Sequence, residues 1–265
     1  MGAGAWDVTV IGKDPASQAA LVSSARSKRL PLSVVTDRVN TGDEAVPYLR
    51  FIIAHYDAMP AVTAFLHGCP FNHQPYIIDF LACVREDWTG AGYFPLNKNY
   101  FSSWGAKNSF LPFEPLRLEL NEKMRVAGVT FEFPPVSRNT FHCSQFLVSA
   151  AAVRARPRRF YEVLLDVALT RVPGADGVTP DRKFTAVFFE FTWHTLFGRP
   201  LEEPFLEPGD YCGSGGPQPF SSACCDAHPL IREQLSDEQK HDWRDMYENE
   251  TARYRGARYW DYDGC

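Results

Sequence analysis

Apolar residues in the first part of the chain fall into two short runs separated by a stretch of mixed character. Residues 6–12 and 30–37 are rich in β-branched side chains and are bounded by glycine, proline and aspartate, which is typical of buried strands. The stretch between them has the composition of a helix. The chain is therefore predicted to open with a β-α-β unit.

A further helix and a third strand are predicted directly afterwards. Residues 41–57 place apolar side chains at helical spacing, and two helix starts fit the pattern. Thr41 and Glu44 have the spacing of a capping box, whereas Pro47 suits the first turn of a helix that begins later. Residues 61–66 then form an apolar run that is typical of a strand.

The middle of the chain combines regular patterns with a long aromatic segment. Residues 76–86 have the pattern of a helix, whereas residues 87–140 are rich in aromatic residues and proline without a clear period. We expect an irregular insertion there that covers a site, because long loops in compact domains commonly have functional roles. Residues 140–149 are strand-like, and Ser149 is a good N-cap for a helix that Pro157 should break or kink.

The residue pattern changes twice in the last part of the chain. Residues 184–198 pass from a strand-like start into a short helix that Gly198 would end. Proline, glycine, serine and cysteine then dominate up to residue 229, and a charged amphipathic pattern follows. These changes predict an α/β domain over 1–200, a loop or linker over 201–229 and a C-terminal helical extension over 230–265.

Composition and charge narrow the class of protein. The 265 residues carry a formal net charge of -5, and the isoelectric point is about 5.8. Such a chain has no general electrostatic attraction to nucleic acid or to an anionic membrane. No run approaches the roughly 20 apolar residues that a membrane-spanning helix needs. We therefore expect a soluble protein without a nucleic-acid partner or a transmembrane segment.

The cysteines suggest a reducing environment. The chain has seven cysteines, an odd number, and they include no C-x-x-C pair. This spacing disfavours both a disulfide framework and a zinc ribbon. Because the first residues also lack the pattern of a secretory signal, we predict reduced thiols and a cytoplasmic protein.

One loop concentrates residues with functional chemistry. In the stretch AFLHGCPFNH, the side chains of His67, Cys69 and His73 follow the third predicted strand. Open α/β sheets bind their ligands at the carboxyl ends of strands. Three interpretations stay open: a tight turn beside a pocket, histidines that contact a ligand without metal, and a zinc or iron site. We expect no resident cofactor, with a divalent metal as the alternative.

Two further polar residues stand in apolar surroundings. Glu190 lies among phenylalanine and tryptophan residues, a setting that suits a general acid or base, although a surface glutamate at a helix start fits equally well. Gln145 lies in a strand-like segment and is either a structural hydrogen-bonding residue or a substrate contact.

Three ordered blocks of the sequence resemble an uncharacterised family. The blocks are GDEAVPYLRFIIAHYDAMPAVTAFLHGCPFNH, CSQFLVSAAAVRARPRRFYEVLL and FEFTWHTLFG. They are similar to a domain of unknown function, number 3431 in that series, which is found in microbial and fungal proteins. The similarity covers about residues 6–200. This chain departs from the family pattern at Asp43, Pro47 and Asn72, and the family has no settled activity to carry over.

A second resemblance is to the GT-A glycosyltransferase fold. In that fold the first two strands hold a nucleotide, a middle strand ends in a metal-binding Asp-x-Asp motif, and a later acidic residue is the catalytic base. The resemblance implies a single α/β domain with an open, Rossmann-like mixed sheet flanked by helices. It places Asp37 at the nucleotide, the loop 67–73 at the metal motif and Glu190 at the base. Because the loop has no carboxylate pair for a hard cation, basic side chains would neutralise a donor diphosphate.

This resemblance implies a glycosyltransferase-like enzyme that transfers a sugar from a nucleotide-activated donor to an acceptor, without an Asp-x-Asp metal site. The alternative is a non-catalytic ligand-binding or interaction protein on the same fold, and a third hypothesis is a metal-dependent enzyme that uses the His/Cys loop. The predicted catalytic residues are Glu190 and His73, and the predicted substrate-binding residues are Asp37, His67, Gln145, Trp193 and His194. The sequence specifies neither the donor nor the oligomeric state.

Overall fold

The computed structural model describes most of the regular elements of the chain. The described residues are 7–12, 32–36, 44–67, 77–85, 87–88, 92–96, 100–102, 113–135, 140–141, 144–170, 182–203, 212–213, 218–227 and 240–242. The strands are β1 Val8–Gly12, β2 Leu32–Thr36, β3 Val62–Phe65, β4 Tyr93–Pro95, β5 Tyr100–Ser102, β6 Thr140–Phe141, β7 Phe146–Ser149, β8 Cys212–Gly213, β9 Phe220–Ser221 and β10 Lys240–Asp242. The helices are α1 Ala45–His55, α2 Ile77–Cys83, α3 Glu114–Val126, α4 Ala150–Arg154, α5 Arg158–Thr170, α6 Arg182–Glu190, α7 Trp193–Leu196 and α8 Ser222–Ala227, and a 3-10 helix Tyr56–Ala58 follows α1.

The first two strands pair as the sequence predicts. Strand β1 runs parallel to β2, with Val8 opposite Leu32 and Gly12 opposite Thr36. Parallel strands that are near each other in sequence need a crossover connection, which is what a β-α-β unit provides. The connection itself lies outside the described residues.

The third strand belongs to a different sheet from the one predicted. In the described part of the chain, β3 pairs with β7 in an antiparallel arrangement and β7 pairs with β4, while β1 and β2 form their own sheet. The expected open sheet that combines all three early strands is therefore not what these residues form. Strand β7 is buried at all four positions, which suits the central strand of a sheet that is covered on both faces.

The two faces of the central sheet contribute to two apolar clusters. Phe65, Tyr93 and Phe146 belong to the main core, which also contains apolar residues of α1, α3, α5, α6 and α7. Phe94 follows Tyr93 in β4, and Leu147 follows Phe146 in β7. Both belong to a second cluster with residues of α2, β9 and α8. The alternation follows from the two-residue period of a strand. The mixed helix and sheet content is that of an α/β protein, with the central sheet antiparallel.

The predicted irregular insertion is partly regular and partly core. Helix α3 lies within it, and Leu116, Leu120 and Met124 of this helix are fully buried. Trp88 and Tyr93 are also buried in the core. For the described residues of 87–140, the prediction of a covering loop was therefore wrong. The four-residue spacing of the apolar side chains in α3 is the helical signal that the surrounding aromatic residues obscured.

Single residues near helix ends predicted the helix boundaries well. Ser149 caps α4, because its hydroxyl accepts a hydrogen bond from the backbone N–H of Ala152 at 3.1 Å. Pro157 separates α4 from α5, as predicted. Helix α1 begins at Ala45, between the two predicted starts, and Pro47 occupies its first turn, where a missing N–H costs no hydrogen bond.

The segment around Glu190 differs from the prediction. Residues 182–190 are helical rather than strand-like, and Glu190 is the last residue of α6 instead of the first of a helix. Helix α7 ends close to Gly198, which has a φ of 85°, the left-handed conformation that favours glycine after a helix. The predicted end of this helix is confirmed.

The segment beyond residue 200 is attached to the central sheet. Two disulfides, Cys83–Cys224 and Cys212–Cys225, join α8 to α2 and to β8. The prediction of reduced thiols was wrong for these four cysteines, because the pairing depends on how α8 packs against α2 and β8, which the spacing of cysteines along the chain does not show. Further along, Lys240–Asp242 is a strand paired in parallel with β5 rather than part of the predicted helix. None of the helices in the described part of the chain has the length and apolar composition that crossing a bilayer requires.

Candidate active site

Glu44 and His67 meet where α1 begins and β3 ends. Glu44 immediately precedes α1, and His67 follows β3 by two residues. The distance between Nε2 of His67 and Oε1 of Glu44 is 3.8 Å, and each side chain is less than one-fifth exposed. A carboxylate is favourable at a helix N-terminus. A carboxylate beside an imidazole can also hold or pass a proton.

Gln145 connects His67 to the rest of the sheet. Phe65 pairs with Phe146 at the ends of β3 and β7, so the residues just beyond this pair lie side by side. Oε1 of Gln145 accepts a hydrogen bond from the backbone N–H of His67 at 3.3 Å, and the backbone carbonyl of Gln145 accepts one from Leu96 at 2.8 Å. The fully buried Gln145 thus fixes the segment that enters the predicted loop.

Ser144 gives the chain an unusual turn directly before Gln145. Its backbone φ of 43° lies in the left-handed region. Among the described residues, Ser144 is the one non-glycine residue with a positive φ. The side chain is buried, and its hydroxyl accepts a hydrogen bond from the indole N–H of Trp193 at 3.1 Å. Left-handed backbone at a residue with a side chain is costly and is concentrated at functional sites. Helix α7 therefore contributes to the orientation of Gln145.

Tyr48 has a buried hydroxyl in the same region. Its ring packs between Phe65, Phe146 and Trp193, with ring centroids 4.7 to 6.0 Å apart. Burial raises the pKa of Tyr48 well above its ordinary value, and the charges of Glu44 and Glu190 raise it further. The hydroxyl is a neutral donor that has no hydrogen-bonding partner among the described residues. A buried donor of this kind can bind a polar ligand atom.

Glu190, the last residue of α6, acts on Tyr48 through its charge. Its carboxylate adds to burial and to the charge of Glu44 in raising the pKa of the Tyr48 hydroxyl. The side chain is partly buried, and it lies at a helix C-terminus, where the partial charge of the helix is negative. A carboxylate in this position is a candidate proton acceptor.

Contacts and electrostatic interactions connect five residues from separate parts of the chain. We refer to them as the acid–base cluster: Glu44, Tyr48, His67, Gln145 and Glu190. The cluster contains two carboxylates, an imidazole, a neutral phenol and an amide. This set can transfer protons and hydrogen-bond a hydroxylated ligand.

The two remaining predicted site residues that the structure describes lie deeper in the protein. Trp193 is 1% exposed and stacks with Phe189 and Phe197. His194 is fully buried, and its Nε2 is 3.0 Å from the carbonyl oxygen of Leu201. Burial lowers the pKa of His194, and Glu203 partly opposes this shift. The roles of Trp193 and His194 as substrate contacts stay predictions.

Other predicted residues fall outside the described part of the chain. These are Asp37, the predicted nucleotide contact, and His73, the predicted second catalytic residue, together with Cys69 and Asn72 of the same loop. The described residues contain no group of three or more histidine, cysteine, aspartate or glutamate side chains placed to hold a metal ion.

The sequence analysis missed two members of the cluster. Glu44 and Tyr48 are four residues apart, and both were explained as parts of a helix. Such spacing puts two side chains on the same face of a helix. The sequence pattern that could have indicated them is a carboxylate and a phenol in the first turn of a helix, within the same sequence block as His67.

The fold and this cluster define an α/β protein with a partly buried set of acid–base groups. Residues 20–79 and 133–214, more than half of the chain, match the family described as "Protein of unknown function (DUF3431)". The chain belongs to this family, as the three sequence blocks predicted. All five residues of the acid–base cluster lie within the matched ranges. Comparison with curated proteins and with solved structures gave no match.

Proposed function

We propose that this chain is a glycosyltransferase-like enzyme that transfers a sugar from a nucleotide-activated donor to an acceptor hydroxyl at the acid–base cluster. The observation that supports the proposal is the convergence of Glu44, Tyr48, His67 and Gln145 with the carboxylate of Glu190. The family match includes all of these positions. A structural role alone would not require two carboxylates beside a buried phenol.

Each member of the cluster has a role in this reaction. The carboxylate of Glu190 accepts the proton of the acceptor hydroxyl while the oxygen attacks the anomeric carbon of the donor. The bond between that carbon and the donor diphosphate breaks, and a nucleoside diphosphate leaves. His67, which lies beside Glu44, donates a hydrogen bond to the leaving phosphate, where negative charge develops.

Tyr48 and Gln145 would position the sugar. The Tyr48 hydroxyl donates a hydrogen bond to a sugar oxygen, since its raised pKa keeps it protonated throughout the physiological range. Gln145 holds the His67 backbone in place through its side-chain oxygen. The parallel β1–β2 pair offers carboxyl strand ends at which nucleotides commonly bind in α/β proteins.

One observation favours the non-catalytic alternative. The aromatic residues Trp88, Tyr93 and Phe94, from the segment expected to cover the site and stack on a sugar, are buried in the core. These three residues therefore do not form the aromatic platform that the enzyme hypothesis anticipated. A binding protein that recognises a hydroxylated ligand through the same polar cluster needs no such platform.

The experiment that separates the two functions measures binding and turnover on one sample. The purified chain is titrated by calorimetry with a panel of nucleoside diphosphates and nucleotide sugars, with and without divalent cations. Release of nucleoside diphosphate is then followed in the presence of simple sugar acceptors. Binding with release supports the enzyme, binding without release supports the binding protein, and no binding of any nucleotide contradicts the proposed donor class.

A further inference from the structure

A very small layer packs with α2 against the second face of the central sheet. This layer is the described part of residues 212–227, which contains β8, β9 and α8. We refer to it as the cysteine segment. Its strands are two residues long and its helix has six residues. Elements this short are not stable in water by themselves.

The cysteine segment nevertheless provides the centre of the second apolar cluster. Phe220 is fully buried, with its ring centroid 5.0 Å from that of Phe80 and 5.7 Å from that of Phe94. The backbone N–H of Arg85 donates a hydrogen bond to the carbonyl of Pro219 at 2.9 Å. Removal of the segment would expose the apolar surface of α2 and of the sheet to water, at a cost proportional to the exposed area.

One disulfide ties the cysteine segment to α2, and a second closes the segment on itself. Cys224 and Cys225 are adjacent, yet they bond to partners in different elements, Cys83 of α2 and Cys212 of β8. The first bond closes a loop of 141 residues, and the second closes one of 13. Closing a long loop removes more conformational freedom from the unfolded chain than closing a short one. Cys83 and Cys225 are almost completely buried, as expected of structural bonds.

We propose that this protein folds in an oxidising compartment, where the disulfide Cys83–Cys224 fastens the cysteine segment over the second face of the sheet and Cys212–Cys225 closes the segment internally. Disulfides of this kind persist in secretory and extracellular environments and are rare where glutathione keeps thiols reduced. The proposal is independent of the proposed function and opposes the cytoplasmic location predicted from the cysteine count.

Each bond would form by thiol–disulfide exchange with a disulfide donor, such as oxidised glutathione or the disulfide of an oxidoreductase. A cysteine thiolate attacks the donor disulfide and releases one donor thiol, which leaves a mixed disulfide. The second cysteine thiolate then attacks the mixed disulfide and releases the other donor thiol. Two electrons pass from the two cysteines to the donor for each bond formed.

The first test compares the chain produced in the bacterial periplasm with the chain produced in the reducing cytoplasm. Free thiols are alkylated, and peptides are mapped without reduction, with fragmentation between Cys224 and Cys225 to assign their partners. The periplasmic sample should contain both bonds, and its melting temperature should be higher on the order of 5–10 °C for each bond present. Free thiols at these positions, exchanged partners, or equal melting temperatures would overturn the proposal.

The second test removes each bond by a double substitution. Cys83→Ala with Cys224→Ala, and Cys212→Ala with Cys225→Ala, should each lower the melting temperature, whereas the exposed Ala223→Ser in the same helix should leave it unchanged. Because a double variant can fail to fold, hydrogen exchange is also measured on the wild-type chain with and without reductant. Reduction should increase exchange at the amides of Arg85 and Cys224 and leave α5 protected. Equal protection of the segment in both conditions would contradict the proposal.

Discussion

Gln145 and His67 are joined by a hydrogen bond from the backbone N–H of His67 to Oε1 of Gln145, with a length of 3.3 Å. The two residues lie at adjacent ends of β7 and β3, which pair with Phe146 opposite Phe65. Since Gln145 is fully buried, its side-chain amide makes no hydrogen bond to water in the folded protein. The hydrogen bond therefore stabilises the paired ends of β3 and β7, and it also holds His67 of the candidate site in position.

Replacing Gln145 with leucine should lower the free energy of unfolding by about 1–3 kcal/mol, because the His67 N–H loses its acceptor in a buried environment. Urea denaturation measures the change. Thr63→Val is the control: the Thr63 hydroxyl oxygen is buried and has no hydrogen-bonding partner among the described residues. This variant should be neutral or slightly stabilising. Equal effects of the two substitutions would show that the His67 bond contributes no stability.

Tyr48→Phe should separate stability from function. The Tyr48 hydroxyl has no hydrogen-bonding partner in the described part of the protein, so its removal should leave the free energy of unfolding unchanged or raise it by up to about 1 kcal/mol. Binding of a nucleotide sugar should weaken about tenfold, because one hydrogen bond to the ligand is lost. Calorimetry and urea denaturation measure the two effects.

Tyr161→Phe is the matched control for this experiment. The Tyr161 hydroxyl donates a hydrogen bond to the carbonyl of Val153 at 2.9 Å, inside the main core. Its removal should destabilise the protein by about 1 kcal/mol and leave ligand binding unchanged. If Tyr48→Phe behaves in the same way as Tyr161→Phe, the Tyr48 hydroxyl is structural.

Ser144 should respond differently to alanine and to glycine. Both substitutions remove the acceptor of the Trp193 indole N–H. Leaving this buried donor unsatisfied should lower the free energy of unfolding by about 1–3 kcal/mol. Glycine also relieves the strain of a φ of 43°, whereas alanine keeps it. Ser144→Gly should therefore be more stable than Ser144→Ala by about 1 kcal/mol in urea denaturation. The reverse order would mean that the backbone at this position is not strained.

Glu190→Gln tests the proposed base. Glutamine keeps the shape and hydrogen-bonding capacity of the side chain but cannot accept the proton, so turnover should fall by about a hundredfold or more while the donor still binds. Steady-state kinetics and calorimetry measure the two quantities. Glu122→Gln is the control, since Glu122 is exposed and pairs with Arg125 on α3. Unchanged turnover in Glu190→Gln would assign this residue a structural role.

His194 should make stability depend on pH. Burial lowers its pKa below the ordinary value of 6.5, so the unfolded chain takes up a proton near pH 6.5 while the folded protein does not. The stability contributed by the neutral imidazole is fully present above that pH and is lost as the pH falls towards the lower folded-state pKa. Unfolding free energies measured between about pH 7 and pH 5 should show the decline.

The variant His194→Gln should flatten this dependence, because glutamine has an N–H for the Leu201 carbonyl but does not titrate in this range. A decline that persists in His194→Gln would assign the pH dependence to other groups.

Local features of the fold were predictable from the sequence. The Ser149 cap, the break at Pro157 and the end near Gly198 each depend on the backbone chemistry of one residue and its nearest neighbours. The positions of β1, β2 and β3 followed from short apolar runs. Helix α6 was mistaken for a strand because phenylalanine is common in strands, and burial against the main core decided its conformation.

The candidate site was predictable in part. His67, Gln145 and Glu190 were singled out because each polar residue interrupts an apolar segment of the three sequence blocks. Glu44 and Tyr48 were not, since a helix pattern accounted for both. Their place beside His67 depends on how α1 packs against the sheet, which no local pattern encodes.

The sequence by itself determined where β1, β2, β3 and β7 and the helices α1, α2, α4 and α5 lie, where several of them end, and which family the chain belongs to. These properties depend on residues that are near each other along the chain. Only the tertiary structure decided that β3 pairs with β7, that Cys83 bonds to Cys224 across 141 residues, and that the charges of Glu44 and Glu190 both act on Tyr48. Such contacts join distant segments, and their formation depends on the burial of apolar surface by the whole chain rather than on local backbone preference.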